Sequence, residues 1–249
     1  MGIKSLYKYM PLYDGKFFDH FLLRATERVD LNDPFEFLPP KDLFDEVIEF
    51  HKNWSESEWA KNSTYEDFCK SFFMLEGVIS FTETRSNLLM WSHYAQKHSG
   101  LVIEFDVEND FFETIKRVRY DNIKPNHIHI KDLEDLFFIK SDDWIYEKEY
   151  RIVNKLSKHN SYITKSDMKI NPAKNSAILL GDYTEEMYMF RVPKNSIKSV
   201  TFGCNIEPSW KEKITNKIRA DKELQNVILW QAKLSKDYYY LIFEEIKNI

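Results

Sequence analysis

The apolar positions change period near the middle of the chain, between Ser86 and Asp106 (SNLLMWSHYAQKHSGLVIEFD). From Asn87 to Lys97, Leu88, Met90/Trp91 and Tyr94/Ala95 recur at helical spacing, with Ser86 placed to cap the first turn and Gly100 placed to stop the last. Leu101–Phe105 then reads as a well-buried strand. Similar patterns predict strands over Ile3–Tyr9, Phe21–Thr26, Gly77–Thr82, Val118–Tyr120, Tyr150–Asn154, Met187–Val192, Ile197–Gly203, Val227–Trp230 and Tyr238–Phe243. They predict helices over Asp42–Lys52, Thr64–Phe73, Asp132–Ile139 and Pro208–Asp221, the last opened by proline, and a helical turn over Gly15–Phe21. Leu31–Glu36 reads as a turn, because Asn32 and Asp33 fold back on their own backbone and Pro34 fixes φ. Polar Ser157–Asn175 reads as a flexible insertion. Strands and helices mixed without βα alternation predict an α+β class: one compact domain over residues 1–249, a mixed sheet flanked by helices.

Composition narrows the chemistry. With 6 glycines in 249 residues and no GxGxxG or GxxxxGK[ST], no glycine loop is expected to cradle phosphates. The net charge of −5 gives no bulk attraction to nucleic acid, although a local basic groove stays open. Cys69 and Cys204 form no CxxC pair and read as reduced thiols of a cytoplasmic protein. The N-terminus lacks an apolar signal core, and no run approaches the roughly 18 apolar residues of a membrane helix. No membrane partner is expected.

Two segments carry the candidate chemistry. On the central helix Trp91, Tyr94 and His98 fall on one stripe, and His93 and Lys97 on another. They read either as core, with Trp91 and Tyr94 hydrogen-bonded, or as the wall of a polar pocket. In Asp142–Arg151 (DDWIYEKEYR), Glu149 and Arg151 point to the same face of a strand. The pair is either a structural ion pair or a carboxylate held ionised to orient a hydroxyl or stabilise developing positive charge. His93, His98, Glu147 and Glu149 carry metal-ligand atoms, but no HExxH or HxH fixes their geometry and no metal is expected. No GxSxG elbow is present.

Taken together, LYKY (Leu6–Tyr9), LNDPFEF (Leu31–Phe37), ISFTE (Ile79–Glu83), LLMWSHYAQKHSGLVIEFD (Leu88–Asp106), WIYEKEYRIV (Trp144–Val153) and SVTFGCNI (Ser199–Ile206) resemble a bacterial domain family of unknown function. More distantly the layout is similar to ADP-ribosyltransferase-like folds, including DNA-modifying toxins of toxin–antitoxin systems. Those folds place an Arg or His on a first strand, an aromatic or Ser in the middle and a Glu on a late strand. The matching positions are Tyr7/Lys8, then Ser80 or Tyr94, then Glu149. The resemblance implies a catalytic group of Glu149, Tyr94 and His93, with Tyr7, Lys8, Ser80, Trp91, His98 and Arg151 holding NAD. It also implies a nucleotide-type ligand, a protein or nucleic-acid acceptor, and a role as a toxin or phage-defence effector. On that reading Glu149→Gln lowers NAD turnover far more than stability. A non-catalytic binding module of the same fold is the alternative, favoured by the absence of Arg or His at Tyr7/Lys8, and a nuclease is the third reading.

Overall fold

The computed structural model describes residues 3–54, 62–71, 75–125, 128, 130–163, 170–171 and 187–247. In chain order the first elements are β1 (Ser5–Met10), α1 (Phe17–His20), β2 (Leu22–Glu27), α2 (Lys41–Trp54), α3 (Tyr65–Ser71) and β3 (Glu76–Thr82). Then come α4 (Leu88–Tyr94), β4 (Leu101–Asp106), β5 (Lys116–Arg117), β6 (Arg119–Tyr120), β7 (Ile139–Lys140) and β8 (Glu149–Lys155). The last are β9 (Ser161–Ile163), β10 (Ile170–Asn171), β11 (Met187–Arg191), β12 (Ile197–Phe202), α5 (Pro208–Ala220), β13 (Ile228–Leu234) and β14 (Leu241–Glu245). The class is α+β. No helix among the described residues is long and apolar enough to cross a membrane.

Most strands join one mixed sheet in the order β10-β9-β11-β2-β3-β1-β4-β12-β13-β14, with β8 on the other edge of β3. Pairing is antiparallel except between β12 and β13, which α5 connects in a parallel crossover, and between the short β6 and β7. Alternation buries both faces. Leu6, Met10, Ile79, Phe81, Leu101, Ile103 and Phe105 pack on one side, where Ile214 and Ile218 of α5 cover them. Tyr9 and Val102 point to the other side, under Met90 and Trp91 of α4.

The sheet is split at β3. β8 pairs with β3 along its length, from Glu76↔Lys155 to Thr82↔Glu149. The opposite edge of β3 is shared by two strands: Gly77 and Val78 pair with β2, and Thr82 pairs with Tyr7 of β1. Between those points β1 leaves to run along β4, and β2 leaves to run along β11. A wedge opens between β1 and β2, and their own connection, the Tyr13–Gly15 turn and α1, spans its mouth.

Several predicted elements change. The central helix is Leu88–Tyr94 rather than Asn87–Lys97, and its cap is Asn87, whose side chain accepts from the Met90 N–H, rather than Ser86. It stops early because Gln96, Lys97 and His98 all take positive φ, a costly conformation for residues with a Cβ. Non-local bonds hold them there: the Asn205 N–H donates to the His98 carbonyl at 3.0 Å, and Gly203 N–H to the Gly100 carbonyl at 3.0 Å. Gly100 is therefore not a left-handed stop. It is required because a Cβ there would come within 2.4 Å of the Met10 carbonyl oxygen.

Asp132–Ile139 forms a 3-10 turn over Ile130–Phe138 rather than an α-helix. Val118–Tyr120 divides into two short ladders on either side of buried Val118. Within the predicted insertion, Ser161–Ile163 and Ile170–Asn171 pair as β9 and β10. Its residues 164–169 and 172–175 lie outside the described residues, as does the end of the Thr64–Phe73 helix.

Candidate functional site

Ser80 and Thr82 of β3 lie directly across from Arg151 and Glu149 of β8, so all four side chains share the face that carries α4. Arg151 is fully buried and donates from Nε to Glu149 Oε1 at 2.6 Å and from Nη2 to Glu149 Oε2 at 2.8 Å. Its remaining donors reach Glu36 Oε1 at 2.5 Å and the Phe137 carbonyl at 2.8 Å, and its guanidinium lies 5.1 Å from the Phe37 ring centroid. The turn read from Asn32, Asp33 and Pro34 delivers this Glu36: the Asp33 side chain accepts from the Phe35 N–H, and the Glu36 N–H closes on the Asp33 carbonyl.

Lys140 of β7 ties the cluster together. Its Nζ lies 2.7 Å from Glu147 Oε2, 2.9 Å from Glu36 Oε1 and 3.5 Å from Glu149 Oε2, under the Trp144 ring. Glu147 ends a 3-10 turn capped by Ser141, and left-handed Lys148 then redirects the chain into β8, so Glu147 and Glu149 both enter the cluster. The Tyr94 hydroxyl donates to Glu147 Oε1 at 2.6 Å and accepts from the Asn32 side chain at 2.9 Å. The Tyr120 hydroxyl accepts from the Glu149 N–H at 2.7 Å.

These contacts separate the two carboxyls. Burial opposes the charged form of Glu149, but Arg151 and then Lys140 outweigh it and hold its pKa down to about 2. For Glu147 burial wins over Lys140, and its pKa is raised. Burial, then the Glu147 charge, raises Tyr94. Lys140 and Arg151 stay charged, because three carboxylates overcome burial for the first and Glu149 with Glu36 for the second.

Lys8 reaches the site from the opposite side. Strand alternation puts it with Leu6 and Met10 on the other face of the sheet, 5.5 Å from the Phe81 ring centroid, yet its Nζ donates to the Ser80 carbonyl at 2.8 Å. That carbonyl lies where β3 has lost its ladder partner. Burial lowers the Lys8 pKa to about 8, and the Glu149 charge only partly offsets this.

The wedge encloses a cavity of about 490 Å³. Six of the sequence-predicted residues line it: Lys8, Ser80, His93, Tyr94, Glu149 and Arg151. His93 is exposed and edge-on to Tyr94. Tyr7, Trp91 and His98 do not line it. Trp91 is wholly buried, its Nε1 donating to the Arg85 carbonyl, so no ligand can stack on it. His98 lies parallel to Trp91 at 6.4 Å because the helix ends before it, and Tyr7 packs with the Trp91 cluster. Sequence reasoning missed Glu36, Lys140, Asn32 and Tyr120 as site residues, and weighed Glu147 only as a possible metal ligand. Glu36 stood in LNDPFEF and Glu147 in WIYEKEYRIV, but nothing local marks Lys140. Among the described residues no group of three or more His, Cys, Asp or Glu is arranged to hold a metal ion.

Comparison with curated proteins finds no match, and comparison with solved structures finds none either. Residues 90–152, which run from α4 through β8 and contribute Tyr94, Lys140, Glu147, Glu149 and Arg151 to the site, match the family model described as protein of unknown function (DUF2971).

Proposed function

We propose that the wedge cavity binds a nucleotide-type small molecule, NAD, and that the chain cleaves it or transfers its ADP-ribosyl group to an acceptor. The observation that carries this reading is the meeting of Lys8, Ser80 and Glu149 from three neighbouring strands in one cavity, with a second carboxyl of opposite tendency, Glu147, beside them. Environments that push a pair of carboxyls apart assign them different roles. The cavity volume falls within the roughly 300–1,000 Å³ of small-molecule sites. Phe17, Phe81 and Met90 offer an apolar wall, and Glu149 and Arg151 a charged floor.

When bound, NAD would supply a glycosidic C–N bond whose cleavage builds positive charge on the ribose. Glu149, which Arg151 holds in place and keeps ionised at neutral pH, is the group on this chain that stabilises such a charge without having to reorganise. Burial raises the Glu147 pKa, so its ionised form is the more basic of the two carboxylates and is the one that can take a proton from an incoming nucleophile. Tyr94 holds Glu147 in place.

The second reading, a non-catalytic binding module, is favoured by one specific observation: both Glu149 oxygens are already engaged by Arg151. The test incubates the purified chain with NAD and measures nicotinamide release and the rise in melting temperature, since a ligand that binds only the folded state must stabilise it. Release by the parent, reduced on the order of a hundredfold in Glu149→Gln after normalising to folded protein, supports catalysis. A thermal shift without release supports the binding module. Neither shift nor release overturns both.

A further inference from the structure

Two lysines that line the wedge stand in opposite circumstances. Lys140 is held among Glu36, Glu147 and Glu149. Lys8 has no ion pair among the described residues, and its Nζ has one hydrogen-bond partner there, the Ser80 carbonyl at 2.8 Å. Ser80 lies midway between Val78, which pairs with β2, and Thr82, which pairs with β1. The tip of Lys8 therefore stands in the gap between those two strands, where the cavity opens. Leu6 and Met10 on its own strand and Ile103 across from it are buried, yet Lys8 is partly exposed, and the cavity that it lines is what exposes it. Burial disfavours the charged amine there.

We propose that Lys8 is an amine nucleophile that condenses with a small aldehyde bound in the wedge to form an imine. In that step the neutral amine attacks the carbonyl carbon. Its two protons leave with the carbonyl oxygen as water, and the nitrogen is left doubly bonded to carbon. A lysine without a carboxylate partner in a poorly solvated pocket is suited to this chemistry, because it reaches the neutral, nucleophilic form more readily. The surroundings fit each stage. One N–H of the neutral amine can stay on the Ser80 carbonyl, which leaves the lone pair free to turn to the cavity. The protonated imine has a single N–H, and the same carbonyl can accept it. Its positive charge is favoured by Glu149, which lines the same cavity, acts on Lys8 and is itself ionised at neutral pH. The proposal does not depend on NAD binding in the wedge.

The test incubates the folded chain at neutral pH with glycolaldehyde and sodium cyanoborohydride, which reduces an imine to a stable secondary amine. Peptide mass spectrometry then locates the modified lysines. Exposed Lys222 and Lys236 serve as references within the same molecule, so no substitution that endangers the fold is needed. The expected result is modification of Lys8 at least about tenfold faster than of either reference. Repeating the reaction on the chain unfolded in guanidinium chloride should abolish that preference, because the gap between β1 and β2 no longer exists. Lys8 modified no faster than the references in the folded chain, or a preference for Lys8 that survives unfolding, overturns the proposal.

Discussion

The Lys8 ammonium lies 2.8 Å from the Ser80 carbonyl oxygen and takes the place of the strand that the sheet lacks there. A lysine in this position satisfies an otherwise orphaned backbone acceptor, but its charge lies 5.5 Å from the Phe81 ring centroid and is disfavoured by burial.

The first prediction concerns that amine. The Lys8 pKa is lowered to about 8 from an ordinary 10.5, because burial disfavours the charged amine. Pulsed labelling with an amine-reactive reagent, read by mass spectrometry, should show Lys8 reactivity rising with a midpoint near pH 8. A midpoint near that of exposed lysines would show that the ammonium is solvated. The sign for stability follows: a lowered lysine pKa means that folding gains stability as pH rises from about 8 to 10.5.

Glu149→Gln should be costly to the fold, unlike the expectation from sequence that its stability would change little. Arg151 is fully buried against it, and removing one partner strands the other charge, at about 3–5 kcal/mol. Glu149→Gln combined with Arg151→Gln should recover part of the loss. Denaturant unfolding of the single and double variants measures this coupling.

Acid should attack the same pair. A Glu149 pKa depressed to about 2 contributes stability that is present above its ordinary value of about 4.5 and lost as pH falls from there toward 2. Melting temperatures between pH 5 and 2 should fall less steeply in the Glu149→Gln, Arg151→Gln double variant than in the parent.

Trp91→Ala should cost about 3–5 kcal/mol, because the indole is wholly buried and meets Tyr9 edge-on at 5.4 Å. Ligand binding in the wedge should survive wherever the variant still folds. Unchanged melting would place Trp91 at the surface.

Gly203→Ala tests the joint after α4. A Cβ there would come within 2.0 Å of the His98 carbonyl oxygen, so backbone must move, and Asn205 must loosen its hold on His98. A large fall in melting temperature is expected; stabilisation, the usual gain from Gly→Ala at a compatible site, would contradict this close approach.

What the sequence made legible was local. Leu88, Met90/Trp91 and Tyr94/Ala95 announced α4 through their spacing, and Glu149 with Arg151 announced a shared strand face. The end of α4 was not legible, because three left-handed residues are held by Gly203 and Asn205, far along the chain. Nor was Lys140, whose meaning lies in partners at 36, 147 and 149 that no periodicity connects. The split at β3 depends on β1 and β2 meeting the same edge, a register that neither strand's pattern encodes.

The connection between β1 and β2 forms the roof of the wedge, while its floor comes from β3, β8 and the turn before β8. Roof and floor are therefore written in separate passages of the sequence. Substitutions among Pro11–Phe21 can reshape what the cavity admits without disturbing the ion pairs below. The floor has no such freedom, since each of its charges is answerable to several others. Variation among relatives should gather in the roof if ligand choice differs between them, leaving the floor as the fixed vocabulary of the fold.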